Sequence, residues 1–319
     1  MLMNPGEVVL DPAAAHPELA ALRAALARRD WWSCRAVLDA AAPDARSRLL
    51  LWATGDGTIG DFPRIVWDSD ATDSTAAALL ALHLIHTGWE IRSGALAQHV
   101  SQDQFARFHD YLRRAEAVLI DATARQPRDP ALWTARLTTA RGLQLGQAET
   151  RRRYDRLVAA DPHHLTGQLQ YLQSLCPKWG GTWDHLHRWA WDSMLAAPPG
   201  APQGVLVAEA HLEHMLGLEQ TDPAASHAYL SDVTIREALH QAAHRSVWHP
   251  DFRREPGWVG TASTFAMVFA LGRDHAAAAP VFAMLGDLAT EHPWHYLEDD
   301  VVTTIRRYRR AALATGAVR

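Results

Sequence analysis

The chain has 319 residues, 48% of them hydrophobic, and a formal net charge of −5. That is too apolar for a disordered chain, and the acidic balance lacks the basic footprint of a nucleic-acid protein. The two cysteines, Cys34 and Cys176, lie far apart in no metal or redox motif, which speaks for a reducing compartment and against a disulfide framework.

No apolar run reaches the ~20 residues of a membrane span. The start, MLMNPGEVVLDP, has no basic stretch leading into an apolar one. A cytoplasmic protein without nucleic acid or membrane is expected, long enough for a large core in one elongated domain or two compact ones. Apolar residues recur at three- and four-residue spacing, while period-two runs of β-branched residues are almost absent, so the expected fold class is all-α.

Up to residue 54, HPELAALRAALARRD, WWSCRAVLDAA and DARSRLLLWAT read as two or three helices. Residues 55–73, GDGTIGDFPRIVWDSDATD, read as one long irregular loop. Its Phe62, Ile65, Val66 and Trp67 are too apolar to dangle, so it is expected to pack on the helical body. Its glycines lack the lysine and serine or threonine of a phosphate loop. Asp68, Asp70 and Asp73 lack the glycine and distant glutamate of a calcium loop, and Asp73 or Ser74 is better read as a helix cap.

From residue 74 the chain reads as one helical domain to 319, unless 1–319 is continuous. Phe105, Phe108, Leu112, Ala115, Leu119 and Ala122 trace one amphipathic stripe. Pro127, Pro162 and Pro198 then punctuate the helices about 35 residues apart, a spacing typical of helix–turn–helix repeats. In DPALWTARLTTARGLQLGQAETRRRYDRLVAADP, Trp133, Leu137 and Ala140 mark a first helix and Gly142 and Gly146 a turn. Ala148, Tyr154 and Leu157 mark a second helix, which Pro162 closes. Residues 264–293 repeat the plan, with Pro280 inside the last helix as a kink or as a later start.

This order of residues resembles the tetratricopeptide pattern, with a longer turn and Leu137 where a small residue is the rule. The segment KWGGT, Lys178 to Thr182, resembles the motif of a little-characterised bacterial family of tetratricopeptide-like proteins, a domain family of unknown function. The likeness extends over residues 80–295. It implies helical repeats in a short, curved α-solenoid whose concave groove takes a peptide or protein segment, and it lends no chemistry.

Physically, Gly180 and Gly181 permit a tight turn and Thr182 a cap. On the next helix Trp183, Leu186, His187, Ala190 and Met194 share a face, with Trp183 read as core, while Trp189 points elsewhere. Large aromatic rings suit binding surfaces. Trp89, Trp179, Trp189 and His211 are the expected groove residues.

Eighteen histidines invite a second reading. His83, His86 and Glu90 recur at helical spacing, as do His211 with His214 and Glu237 with His240 and His244. Facing helices build metal sites from such residues, so Glu237, His240, His244, His211 and His214 are the metal candidates of an enzyme or cofactor-binding alternative. The plainer expectation is structural histidines and no cofactor, because none forms an H-E-x-x-H unit and no nucleophile motif accompanies them. Arg306, Arg307, Arg309 and Arg310 read as a solvated helix end.

Overall fold

Aspartates, threonine and prolines set several helix starts. Asp73 accepts backbone N–H bonds from Thr75 and Ala76 and opens α5 (Ser74–Arg92). Asp129 accepts from Ala131, is followed by Pro130, and opens α7 (Pro130–Gly142). Thr182 accepts from the His185 N–H and opens α10 (Trp183–Ala196). Each cap satisfies a donor that has no partner within its helix, and proline loses nothing in a first turn.

The computed structural model describes residues 7–55, 59–94, 99–297 and 300–316. Among these the protein is all-α, with sixteen α-helices and no strand. None of the helices is long and apolar enough to cross a membrane. The chain folds as two compact units, one of Pro17–Gly181 and one joining the chain up to His16 with the chain from Thr182 on.

The first unit also contains α1 (Pro17–Ala27), α2 (Trp31–Ala40), α3 (Pro43–Thr54), α4 (Phe62–Ser69), α6 (Gln102–Arg125), α8 (Gln147–Ala160) and α9 (Leu165–Leu175). Helix α5 packs on α6 and α7, and α7 packs on α8 and α9; α3 lies against α5, α7 and α9. Helix α7 is thereby covered on every side, and each residue from Pro130 to Ala140 is buried. Its small residues let neighbours close in: a Cβ at Gly142 would stand 2.3 Å from Leu112 Cδ1.

Covering α7 also buries Arg136, which needs a counter-charge. Glu116 of α6 supplies it, with Oε1 2.7 Å from Arg136 Nη2 and 2.8 Å from Arg153 Nη2 of α8. Its Oε2 accepts from Thr139 Oγ1 at 2.5 Å and Arg153 Nη1 at 3.0 Å. Arg153 reaches the Arg136 carbonyl at 2.7 Å and Glu149 at 2.6 Å. One carboxylate thus ties three helices.

Within the stretch expected as an irregular loop, α4 forms, while residues 56–58 lie outside the described residues. Pro63 sits in its first turn, and Phe62, Val66 and Trp67 are buried, with α4 packed on α5. Eight residues are too few for periodicity to declare a helix.

The second unit holds α10, α11 (Gly204–Glu219), α12 (Pro223–Tyr229), α13 (Val233–Arg245), α14 (Trp258–Leu271), α15 (His275–Leu285) and α16 (Val301–Gly316). Helix α11 packs on α10, α12, α13 and α14, and α15 packs on α14 and α16. Pro280 lies inside α15, which starts at His275 with Asp274 as cap, so a later start is excluded. The N-terminal segment is tied in by the Val9 N–H to Asp287 O and the Ala289 N–H to Val9 O, 2.8 and 3.0 Å. Arg309, expected with a solvated helix end, is 2% exposed and donates to the Glu7 carbonyl at 2.8 Å.

Candidate functional site

Helices α5 and α7 end at one edge of the first unit, and the 3-10 turn Pro177–Trp179 after α9 reaches the same edge. There Trp89 and Trp179 meet edge to face, ring centroids 6.2 Å apart at 84°. The Arg141 guanidinium carbon lies 5.7 Å from the Trp89 ring and 5.8 Å from the Trp179 ring. Arg92 lies 5.8 Å from the Trp89 ring. All four side chains are half-buried.

The edge is braced from behind. Phe108 meets Trp89 at 4.8 Å. Arg141 donates to the Gln170 carbonyl and to its Oε1, at 3.2 and 3.1 Å. Gln147 Nε2 donates to the Ser174 and Trp179 carbonyls, 2.7 and 2.9 Å, and so holds the turn that presents Trp179. Gly180, with φ of 86°, ends the turn in the left-handed region. Rings and guanidinium planes in this order offer stacking to an aromatic group and charge to a carboxylate.

Two of the four expected groove residues, Trp89 and Trp179, are therefore brought together. Trp189 and His211 belong to the second unit. Trp189 is half-buried on α10, about 200° around that helix from His187 at 100° per residue. His211 joins a different group.

That group draws on three helices. His187 of α10 has its Nε2 2.9 Å from Nδ1 of His214 on α11. The Tyr229 hydroxyl of α12 stands 2.8 Å from His214 Nδ1, 3.0 Å from His211 Nδ1 and 3.5 Å from His187 Nε2. All four residues are half-buried. Burial, reinforced by His214, pushes the His187 imidazole down to about 4. Burial, then His187 and His214, pushes His211 down to about 3; burial also lowers His214 and raises the Tyr229 phenol. Burial thus favours the neutral form of each group, three imidazoles around one phenol.

Trp183 stacks on His214, centroids 4.5 Å apart at 10°. It is seated over Gly217, where a Cβ would lie 2.5 Å from its ring. The ring is half-buried, whereas Leu186, Ala190 and Met194 on the expected core face are buried. Trp183→Ala is expected to lose about half of the ~3–5 kcal/mol of a fully buried tryptophan. Urea denaturation checks this; a variant as stable as the parent would remove Trp183 from the packing of α10 on α11.

The expected metal candidates do not assemble. His240 Nε2 lies 2.8 Å from Asp274 Oδ2, which Arg236 also engages at 3.1 Å, and His240 and His244 pack edge-on to Trp248. His211 and His214 face Tyr229 instead, so the two sets have different partners. His86 pairs with Glu90 at 3.3 Å. Among the described residues no group of three or more His, Cys, Asp or Glu side chains is placed to hold a metal ion.

Reading the sequence missed His187, Tyr229 and Arg141 as site residues. His187 sits on a face otherwise read as core, and Tyr229 ends a seven-residue helix. Arg141 closes α7 far along the chain from both tryptophans it joins. Comparison of the chain with protein-family models, with curated proteins and with solved structures gives no match.

Proposed function

We propose that the protein is a tetratricopeptide-like helical-repeat interaction protein that binds a peptide or protein segment at the Trp89–Arg141–Trp179 edge. The repeat reading is supported by the packing order, in which α5 and α7 each meet the next helix and the next but one. Because α3 covers α7, contact is assigned to the helix ends and not to a groove over the middle of that helix.

The observation that carries the proposal is the half-buried arginine set against two tryptophan rings that meet edge to face. Tryptophan and arginine dominate binding hot spots because rigid rings and planar guanidinium groups lose little freedom when they are covered. A segment with an aromatic side chain and a carboxylate matches the edge, the ring against tryptophan and the carboxylate against Arg92 or Arg141.

Selection from a displayed random-peptide library tests this. Enriched peptides are expected to carry an aromatic and an acidic residue and to lose at least about thirtyfold in affinity for Trp179→Ala, since truncating a hot spot costs ~2 kcal/mol or more. Arg141→Ala should weaken the same peptides, with circular dichroism showing both variants folded. Failure to enrich any peptide, or equal binding to parent and variants, would overturn the proposal.

A further inference from the structure

We propose that His187, His214 and Tyr229 form a site for one divalent transition-metal ion, with His211 holding the tyrosine oxygen in place. The donors are His187 Nε2, His214 Nδ1 and the Tyr229 hydroxyl oxygen, 2.9, 2.8 and 3.5 Å from one another. A point about 1 Å outside the plane of that triangle lies ~2.0–2.1 Å from all three corners, the bond length of zinc to nitrogen or oxygen. With two histidines and a tyrosine, the set differs from a trio of His, Cys, Asp or Glu ligands. It also differs from the expected Glu237, His240 and His244, and it departs from the expectation of no cofactor.

The surroundings hold the donors in place. His211 Nδ1 lies 3.0 Å from the tyrosine oxygen, the place of an outer hydrogen-bond partner that orients a ligand. Trp183 stacked on His214 fixes that ring. The side chains are half-buried, and water would complete the ion's shell, the pattern of an open site with three protein ligands.

Imidazole and phenol donors suit Cu(II), Ni(II) and Zn(II) and disfavour Mg(II) and Ca(II). Binding as a phenolate releases the tyrosine proton to solvent, and the ion's charge offsets the new negative charge. The site lies wholly within the second unit and is independent of the peptide edge proposed for the first.

The full chain, stripped with chelator and dialysed, is titrated with Cu(II) and separately with Zn(II), following tryptophan fluorescence and visible absorbance. Saturation at one ion per chain is expected, Cu(II) tighter than Zn(II), with a phenolate-to-copper band. Tyr229→Phe, which removes only an oxygen, should abolish the band, and His211→Ala should weaken binding about 10–100-fold. His187→Ala with His214→Ala should abolish stoichiometric binding, while His240→Ala with His244→Ala leaves it unchanged. Absence of saturable binding, a band surviving in Tyr229→Phe, or loss in the His240 and His244 variant would overturn the proposal and leave the cluster a hydrogen-bond network alone.

Discussion

Glu116→Ala is expected to destabilise the protein by about 3–5 kcal/mol, because it leaves two buried guanidinium groups without their shared carboxylate. Arg136 and Arg153 are 8% and 3% exposed. Arg153 keeps Glu149 and the Arg136 carbonyl, whereas Arg136 keeps one hydrogen bond, to Thr123 Oγ1 at 3.1 Å, and the Trp133 ring 5.3 Å from its guanidinium carbon. A domain stable by ~5–15 kcal/mol has little room for such a loss. Urea denaturation measures it, and Arg152→Ala is the control. The Arg152 side chain is 53% exposed on the far side of Glu149, where an ion pair contributes at most about 1 kcal/mol. Equal costs for the two substitutions would show that Glu116 does not hold α6, α7 and α8 together.

The same network marks the boundary of what the sequence discloses. The stripe through Phe105, Phe108, Leu112, Ala115, Leu119 and Ala122 is legible because α6 has one wet face; the last five are buried and Phe105 is half-buried. Helices α7 and α14 have almost no wet face, so their pattern is nearly featureless and only Asp129, Pro130 and the glycines betray α7. Short-range chemistry was readable: Asp73 and Thr182 cap the helices they precede. The sites were not, because each joins residues from separate helices. Trp89 and Trp179 could be picked as aromatic surfaces, but the arginine set against both depends on where α7 ends. Of the three histidines around Tyr229, only His211 and His214 lie within one turn of a single helix, and only that pair was visible.

Gly181→Ala is expected to cost about 3 kcal/mol or more, at or beyond the usual range for overpacking. A Cβ there would stand 1.9 Å from the Leu175 carbonyl oxygen and 2.4 Å from its carbon. Both are backbone atoms at the end of α9, so no side chain can swing aside. Gly180→Ala meets nothing closer than 3.9 Å, to Gln147 Nε2, and carries instead the strain of φ at 86°, about 1–2 kcal/mol. The two neighbouring glycines thus serve different needs, space at 181 and handedness at 180. The Gly181 N–H also donates to Cys176 O at 3.2 Å within the turn that carries Trp179. Shifting the backbone to admit a methyl therefore moves that ring relative to Arg141. Thermal melts of both variants should show the larger loss at 181, with the Trp179-dependent peptide affinity falling alongside it. A Gly181→Ala protein as stable as the parent would mean that the end of α9 yields freely, and that Gly181 does not fix the turn carrying Trp179.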